Sequence, residues 1–281
     1  MAPLMPLLAG RCMNCTSVRK DDACTNCGLT STEDIQVHDE LRFMVSPQHT
    51  LFDASRIANK AGRRLMALKL ATAATATNEG GLGDQAHALR IWLLAAIGEQ
   101  QAAVEDGRAW VESQEKPPTI AWASYGGQLE QSAFSGAAAD AYSKALKQAP
   151  REFLLRARRA NLLLVLHREG QAIDEACTVL EYGGDVPDAI EIALTVAEKL
   201  CDLFEAQYRN DEIDRMLDRS KDHVDRSARL LGHRARLAAV NGDTSGAKRD
   251  LKKARKLNPE LEIYERVERE IKPAGSSWWR W

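Results

Sequence analysis

Long apolar runs are missing from this chain of 281 residues. No run approaches the roughly 18 apolar residues of a membrane-spanning helix, so we expect no transmembrane segment. Glycine (18 residues) and proline (9 residues) are scarce away from a few boundaries, and 44% of the residues are hydrophobic. This composition is typical of a helix-rich globular protein that can bury a sizeable core.

Catalytic motifs are missing as well. The sequence has no glycine-rich phosphate loop, no Gly-x-Ser-x-Gly turn, no His-Glu-x-x-His pair and no kinase catalytic loop. The six histidines, for instance His38, His49 and His87, lack ligand spacing and are expected to be surface or satisfied core side chains. We therefore predict that the chain is not an enzyme.

A strong charge imbalance is missing too, because the net charge is only −2. Residues 209–281 nevertheless contain 18 Lys or Arg against 13 Asp or Glu, so this part of the chain is basic. Its densest basic segment consists of Lys248, Arg249, Lys252, Lys253, Arg255 and Lys256. No aromatic residue stands among these charges, which favours a solvated outer helix face over a nucleic-acid surface.

An export signal is not expected. Pro3 and Pro6 interrupt the apolar start, no basic segment precedes it, and Arg11 stands where a lipoprotein signal needs a small residue. A reducing cytoplasm is the expected compartment, since it also suits free thiols. Cys177 and Cys201 lie in apolar helical contexts and are expected to be buried core thiols.

Four cysteines near the N-terminus, Cys12, Cys15, Cys24 and Cys27, form two Cys-x-x-Cys pairs. Two such pairs on a short loop supply four thiolates to one tetrahedral zinc ion and leave no open position for a substrate. Two disulfides or a redox Cys-x-x-Cys are the alternatives. On these residues, the segment 1–33 resembles the short zinc ribbons of microbial proteins, which implies a structural Zn²⁺ site.

Small and large apolar residues recur at a spacing near 34 from about residue 84 onward. The most complete copy contains Trp122, Tyr125, Gly126, Leu129, Ala138, Tyr142, Ala145, Leu146 and Pro150. The last copy contains Leu231, Ala235, Ala238, Gly242, Ala247, Leu251, Ala254 and Pro259. Weaker copies cover the segments near 88–110, 155–179 and 187–225. In these copies small residues stand where two helices cross, and large residues fill the space between them.

On these positions the chain resembles the tetratricopeptide repeat family. The resemblance implies an all-α solenoid of about five helical hairpins over residues 84–272. Ahead of it, residues 34–83 are expected to hold a connector and one long amphipathic capping helix, at about residues 50–77. Residues 273–281 are expected to be a flexible tail.

The resemblance also implies a concave groove that is lined by the first helix of each hairpin and binds peptides. The residues carried over to this groove are Trp92, Arg158, Asn161, Arg229, His233 and Arg236. The groove is expected to be apolar at one end and basic at the other, so its expected ligand is an acidic or C-terminal peptide. A solvated basic face is the alternative.

The tail contains three of the six tryptophans, Trp278, Trp279 and Trp281. Trp and Arg dominate interface hot spots, so we expect the tail to anchor a separate protein partner. Insertion at a membrane interface, folding back onto the repeats or a cloning remnant are the alternatives.

Taken together, these features predict a cytoplasmic, non-catalytic scaffold that holds proteins together. The alternative is a nucleic-acid-associated regulatory protein that uses the zinc ribbon and the basic face of residues 248–256, although nucleic acid is the less expected partner. The sequence does not predict an oligomeric state.

Overall fold

The computed structural model describes residues 50–77 and 81–271, together with the backbone of residues 19–20 and 23–24. Its helices are α1 (Leu51–Lys60), α2 (Arg64–Thr77), α3 (Gly83–Ala96), α4 (Gln100–Glu112), α5 (Thr119–Gln131), α6 (Ser135–Gln148), α7 (Phe153–Val165), α8 (Glu169–Tyr182), α9 (Pro187–Ala206), α10 (Asn210–Arg219), α11 (Lys221–Val224), α12 (Ala228–Val240), α13 (Thr244–Leu257) and α14 (Ile263–Ile271). Two short strands, β1 (Arg19–Lys20) and β2 (Ala23–Cys24), pair antiparallel. Among the described helices we find no candidate for a membrane-spanning segment. The chain divides after Gln148 into two compact units, which we call unit 1 and unit 2.

Unit 1 contains helices α1 to α6 and two of the hairpins that the repeats predict. Helix α3 packs on α4 and on α5, and α5 packs on α6, so the first helices of the two hairpins touch each other. Fully or almost fully buried side chains, including Leu65, Leu68, Ile91 and Trp110, form its core. Because one hairpin cannot bury its own apolar face, the core forms where successive hairpins pack on each other and where α2 packs on α3.

The single capping helix expected at about residues 50–77 is wrong, because the structure has two helices there, α1 and α2. Gly62, between them, has φ +76°, a backbone conformation that glycine adopts most readily. The amide of Gly62 donates to the carbonyl of Asn59 at 3.0 Å, and that of Arg63 to the carbonyl of Ala58 at 2.9 Å. These two bonds are a Schellman cap, which ends α1 and turns the chain so that α2 packs back on it.

Unit 2 contains helices α7 to α14 and the other three predicted hairpins, α7–α8, α9–α10 and α12–α13. Their first helices are in contact, α7 with α9 and α9 with α12, and α14 packs on α12 and α13. Its core includes the fully buried Leu200, Phe204, Met216 and Leu230. The single-turn helix α11 accounts for the extra length of the weak repeat at residues 187–225.

The crossing of α5 and α6 shows why the repeat alternates small and large residues. A Cβ added at Gly126 would lie 2.8 Å from two ring carbons of Tyr142, so only glycine lets the helices approach this closely. The Tyr142 side chain is fully buried, and its hydroxyl donates a hydrogen bond of 2.7 Å to Glu130. The sequence-based prediction of a small residue facing a large one is confirmed at this crossing.

Two cysteines of unit 2 are core residues, as predicted. Cys177 on α8 and Cys201 on α9 are both fully buried, and the Sγ of Cys177 lies 3.4 Å from the Sδ of Met216. Burial raises the pKa of the Cys177 thiol to about 11, and burial also raises the pKa of Cys201. Both groups therefore stay protonated thiols at neutral pH.

Candidate protein-binding surface

The predicted zinc ligands and tail anchors lie largely outside the described residues, namely Cys12, Cys15, Cys27, Trp278, Trp279 and Trp281. Cys24 is described only by its backbone, in β2, where it lies opposite Arg19 of β1. Within residues 50–77 and 81–271, no three His, Cys, Asp or Glu side chains are grouped so that they could hold a metal ion. The zinc ribbon and the tail anchor therefore stay predictions.

The apolar end of the predicted groove is represented by Trp92 on α3, the first helix of its hairpin. Its side chain is 46% exposed, whereas its neighbours Ile91 and Leu93 are fully buried. Leu89, three residues earlier and therefore on the same helical face, is half-buried. An exposed indole beside a half-buried leucine is an apolar surface of the kind that interface hot spots use.

In unit 2, Arg158 and Asn161 lie on α7, also the first helix of its hairpin, and both are half-buried. They are three residues apart and therefore share a helical face. On the same face, Leu154 is 37% and Val165 is 59% exposed. This surface thus offers polar donors flanked by apolar side chains, and not a purely basic surface.

The three remaining groove residues, Arg229, His233 and Arg236, lie together on α12, as their spacing predicts, but they face two carboxylates of α9. The Nε2 atom of His233 is 2.9 Å and its Nδ1 atom 3.2 Å from the carboxylates of Asp202 and Glu205 respectively. Arg229 forms an ion pair with Asp202, and the Nε of Arg236 is 3.4 Å from Glu205. His233 is fully buried, so the expectation that it contacts a partner is corrected.

The charge states of this cluster follow from its geometry. Burial lowers the pKa of His233, but its hydrogen bond to Asp202 and its close approach to Glu205 outweigh burial, and the pKa is raised overall. Burial raises the pKa of Glu205, but the adjacent His233 and the hydrogen bond from Arg266 outweigh it and lower the pKa to about 2. The pKa of Asp202 is lowered in the same way by His233 and Arg229. The cluster therefore places the imidazole of His233 between two carboxylates that favour its protonated form.

This pairing changes the electrostatics that the sequence predicted for the basic end of the groove. Glu205 also accepts a hydrogen bond of 2.9 Å from Arg266 on α14, and the side chain of Glu205 is only 10% exposed. The cations on α12 are thus largely neutralised inside unit 2. The sequence carried a signal for this, because Asp202 and Glu205 are three residues apart and share one face of α9.

A second charged cluster, which the sequence analysis missed, lies inside unit 1. Arg90 on α3 is 7% exposed and pairs through two nitrogens with Asp106 on α4. The ring of His87 stacks on Trp110, with centroids 4.3 Å apart, and its Nε2 is 2.8 Å from Arg90. Burial raises the pKa of Asp106, but the nearby His87 and the hydrogen bonds from Arg90 outweigh it and lower the pKa. His87 is half-buried and has its polar and ring contacts within unit 1, which agrees with the expectation of a surface or satisfied side chain.

No family model matches the chain, and no curated protein matches it. A solved structure of Pseudomonas aeruginosa pilF, a tetratricopeptide repeat protein, has a TM-score of 0.50 at 18% identity, covering 83% of this chain and 99% of that one. The fold is that of a tetratricopeptide repeat protein.

A tetratricopeptide repeat protein from Parabacteroides merdae is also similar, with a TM-score of 0.40 at 14% identity over 84% of this chain and 99% of that one. Identities this low concern the fold and not the ligand.

Proposed function

We propose that this chain is a non-catalytic scaffold whose units each bind peptides of partner proteins on the first helices of their tetratricopeptide hairpins. The observation that carries the proposal is the exposed indole of Trp92, which stands on α3 between fully buried residues. Leaving an indole half in water is unfavourable unless a partner covers it, because apolar area in water costs about 25 cal/mol per Å².

The chemistry of the described surfaces defines the partner peptide. Trp92 supplies an apolar anchor in unit 1, and Arg158 and Asn161 supply donors for carboxylates in unit 2. A large apolar side chain of a partner matches the surface of unit 1, and, separately, an acidic or C-terminal peptide matches the surface of unit 2. Arg229 and Arg236 contribute less than the sequence suggested, because Asp202 and Glu205 already pair with them.

The test is to select peptides from a display library on the intact chain and then to measure their retention on the Trp92→Ala variant. Phe134→Ala is the matched control, since it also removes an exposed aromatic side chain of unit 1, 55% exposed, but from a turn. We expect peptides enriched on the unchanged chain to be retained by the control and lost by the Trp92 variant. Equal retention on both variants would remove Trp92 from the site.

The tail anchor and the zinc ribbon are further parts of the proposal. Trp278, Trp279 and Trp281 would anchor a second protein, and Cys12, Cys15, Cys24 and Cys27 would hold one structural Zn²⁺. Free buried thiols and a metal-bound cysteine tetrad fit a cytoplasmic location.

Two measurements test these parts separately. Metal analysis of the purified chain should give one zinc per chain, and substitution of any one of the four cysteines should lower that content. Affinity purification of the full chain and of a chain without residues 273–281 should differ by one partner. An unchanged partner set would remove the tail from the proposal.

A further inference from the structure

Helix α13 carries a row of lysines along its outer face. Lys248, Lys252 and Lys256 are all exposed, and they follow each other at intervals of four residues. On an α-helix this spacing keeps side chains on nearly one face, about 6 Å apart along the axis. The row therefore presents three ammonium groups in a nearly straight line.

Nothing in the described part of the chain neutralises this row. Among residues 50–77 and 81–271, no carboxylate forms an ion pair with any of its three lysines. The other cations of α13 do have partners, since Lys253 lies 2.7 Å from Asp225 and Arg255 lies 2.7 Å from Glu268.

The one acidic residue of α13 does not offset the row either. Asp250 is 3% exposed and accepts a hydrogen bond of 2.6 Å from Arg234 of α12. Its carboxylate therefore serves the packing of α12 on α13. The helix carries six cations and only this one carboxylate, so the lysine row keeps a net positive charge that faces solvent.

The composition of the row narrows the class of partner. Lysine is depleted at the cores of protein interfaces, so a second protein is disfavoured. A membrane surface needs an apolar face beside the charges, and the exposed large apolar residue of α13, Leu257, is only at the end of the helix. Single-stranded nucleic acid needs aromatic side chains for stacking, and α13 has none.

We propose that Lys248, Lys252 and Lys256 bind the phosphate backbone of double-stranded nucleic acid without reading its sequence. The proposal goes beyond the peptide-binding function, because it concerns a second helix of a hairpin and not the groove. Each lysine that contacts a phosphate releases condensed counterions, so three contacts give a slope of log K against log salt of about −2.7. Affinity should then fall about 40-fold between 50 mM and 200 mM salt.

The test is a binding titration of the full chain with a fluorescent DNA duplex, and with an RNA duplex, over a salt series. The variant is Lys248→Gln, Lys252→Gln and Lys256→Gln together. The control is Lys60→Gln, Lys116→Gln and Lys147→Gln, which removes the same charge from exposed positions of unit 1. We expect the slope of log K against log salt to become shallower by about 2.7 in the variant and to stay unchanged in the control.

Three results overturn the proposal: no duplex binding at 50 mM salt, an equal loss in variant and control, or binding to vesicles of anionic lipid but not to a duplex. An equal loss would mean that only the total charge matters. Trp92→Ala should leave duplex binding intact, so a failure of this proposal and a failure of the peptide-binding function give different results.

Discussion

Replacing Gly126 by alanine tests whether close helix approach determines the stability of unit 1. The new Cβ would lie 2.8 Å from two ring carbons of Tyr142 and 3.3 Å from the Cβ of Ala141, and the tyrosine ring is fully buried. Overpacking of this kind costs about 1–3 kcal/mol. Removing a glycine from a helix returns about 0.5–1 kcal/mol. We therefore expect a net destabilisation of about 1 kcal/mol.

The matched control is Gly136→Ala on α6, where an added Cβ meets no atom within 4 Å. There only the gain in helix propensity remains, up to about 1 kcal/mol. The assay is urea denaturation followed by circular dichroism, with hydrogen exchange of α5 and α6 peptides to locate the change. If the Gly126 variant is as stable as the Gly136 variant, the reasoning from the close approach is refuted.

Three more predictions concern buried polar groups. Because the pKa of His233 is raised and that of Glu205 is lowered to about 2, their pairing should stabilise unit 2 fully between about pH 4.5 and 6.5. Urea midpoints should fall as the pH rises through the folded pKa of His233, and His233→Gln should remove that slope. Asp106→Asn leaves Arg90 buried without its carboxylate and should cost about 3–5 kcal/mol, measured by urea denaturation against Asp140→Asn, an exposed site. Cys177, with a pKa of about 11, should resist thiol reagents until urea unfolds unit 2, as peptide mass mapping would show.

The hairpins could be predicted because their signal is a packing constraint within each repeat. Gly126 and Tyr142 must fit against each other, so the chain tolerates only a small residue at one position and suits a large one at the other. Such pairs lie a fixed distance apart in the sequence. The period is therefore visible without any coordinates.

The break between α1 and α2 could not be predicted from the apolar pattern. Gly62 lies inside an otherwise regular apolar pattern, and the helical period continues on both sides of it. The pattern alone does not distinguish one long helix from two packed helices of the same phase. The positive φ of Gly62 decides between them.

The charge pairing in unit 2 could not be read from one helix at a time. Arg229, His233 and Arg236 look like a free basic face as long as only α12 is considered. Their partners, Asp202 and Glu205, belong to the weakest repeat, whose register the sequence did not define. Contacts between helices of neighbouring hairpins depend on that register, so the expected exposure of His233 was wrong where the repeat was least regular.

The salt bridges between α9 and α12 also limit how this array can be rearranged. The carboxylates of the hairpin α9–α10 pair with the cations of the hairpin α12–α13, so the two hairpins are electrostatically complementary. A tandem copy of α12–α13 would bring its arginine-bearing face against a hairpin that lacks Asp202 and Glu205, so the copied cations would have no carboxylates to pair with. Engineering or evolution by duplication should therefore copy these two hairpins as a single block.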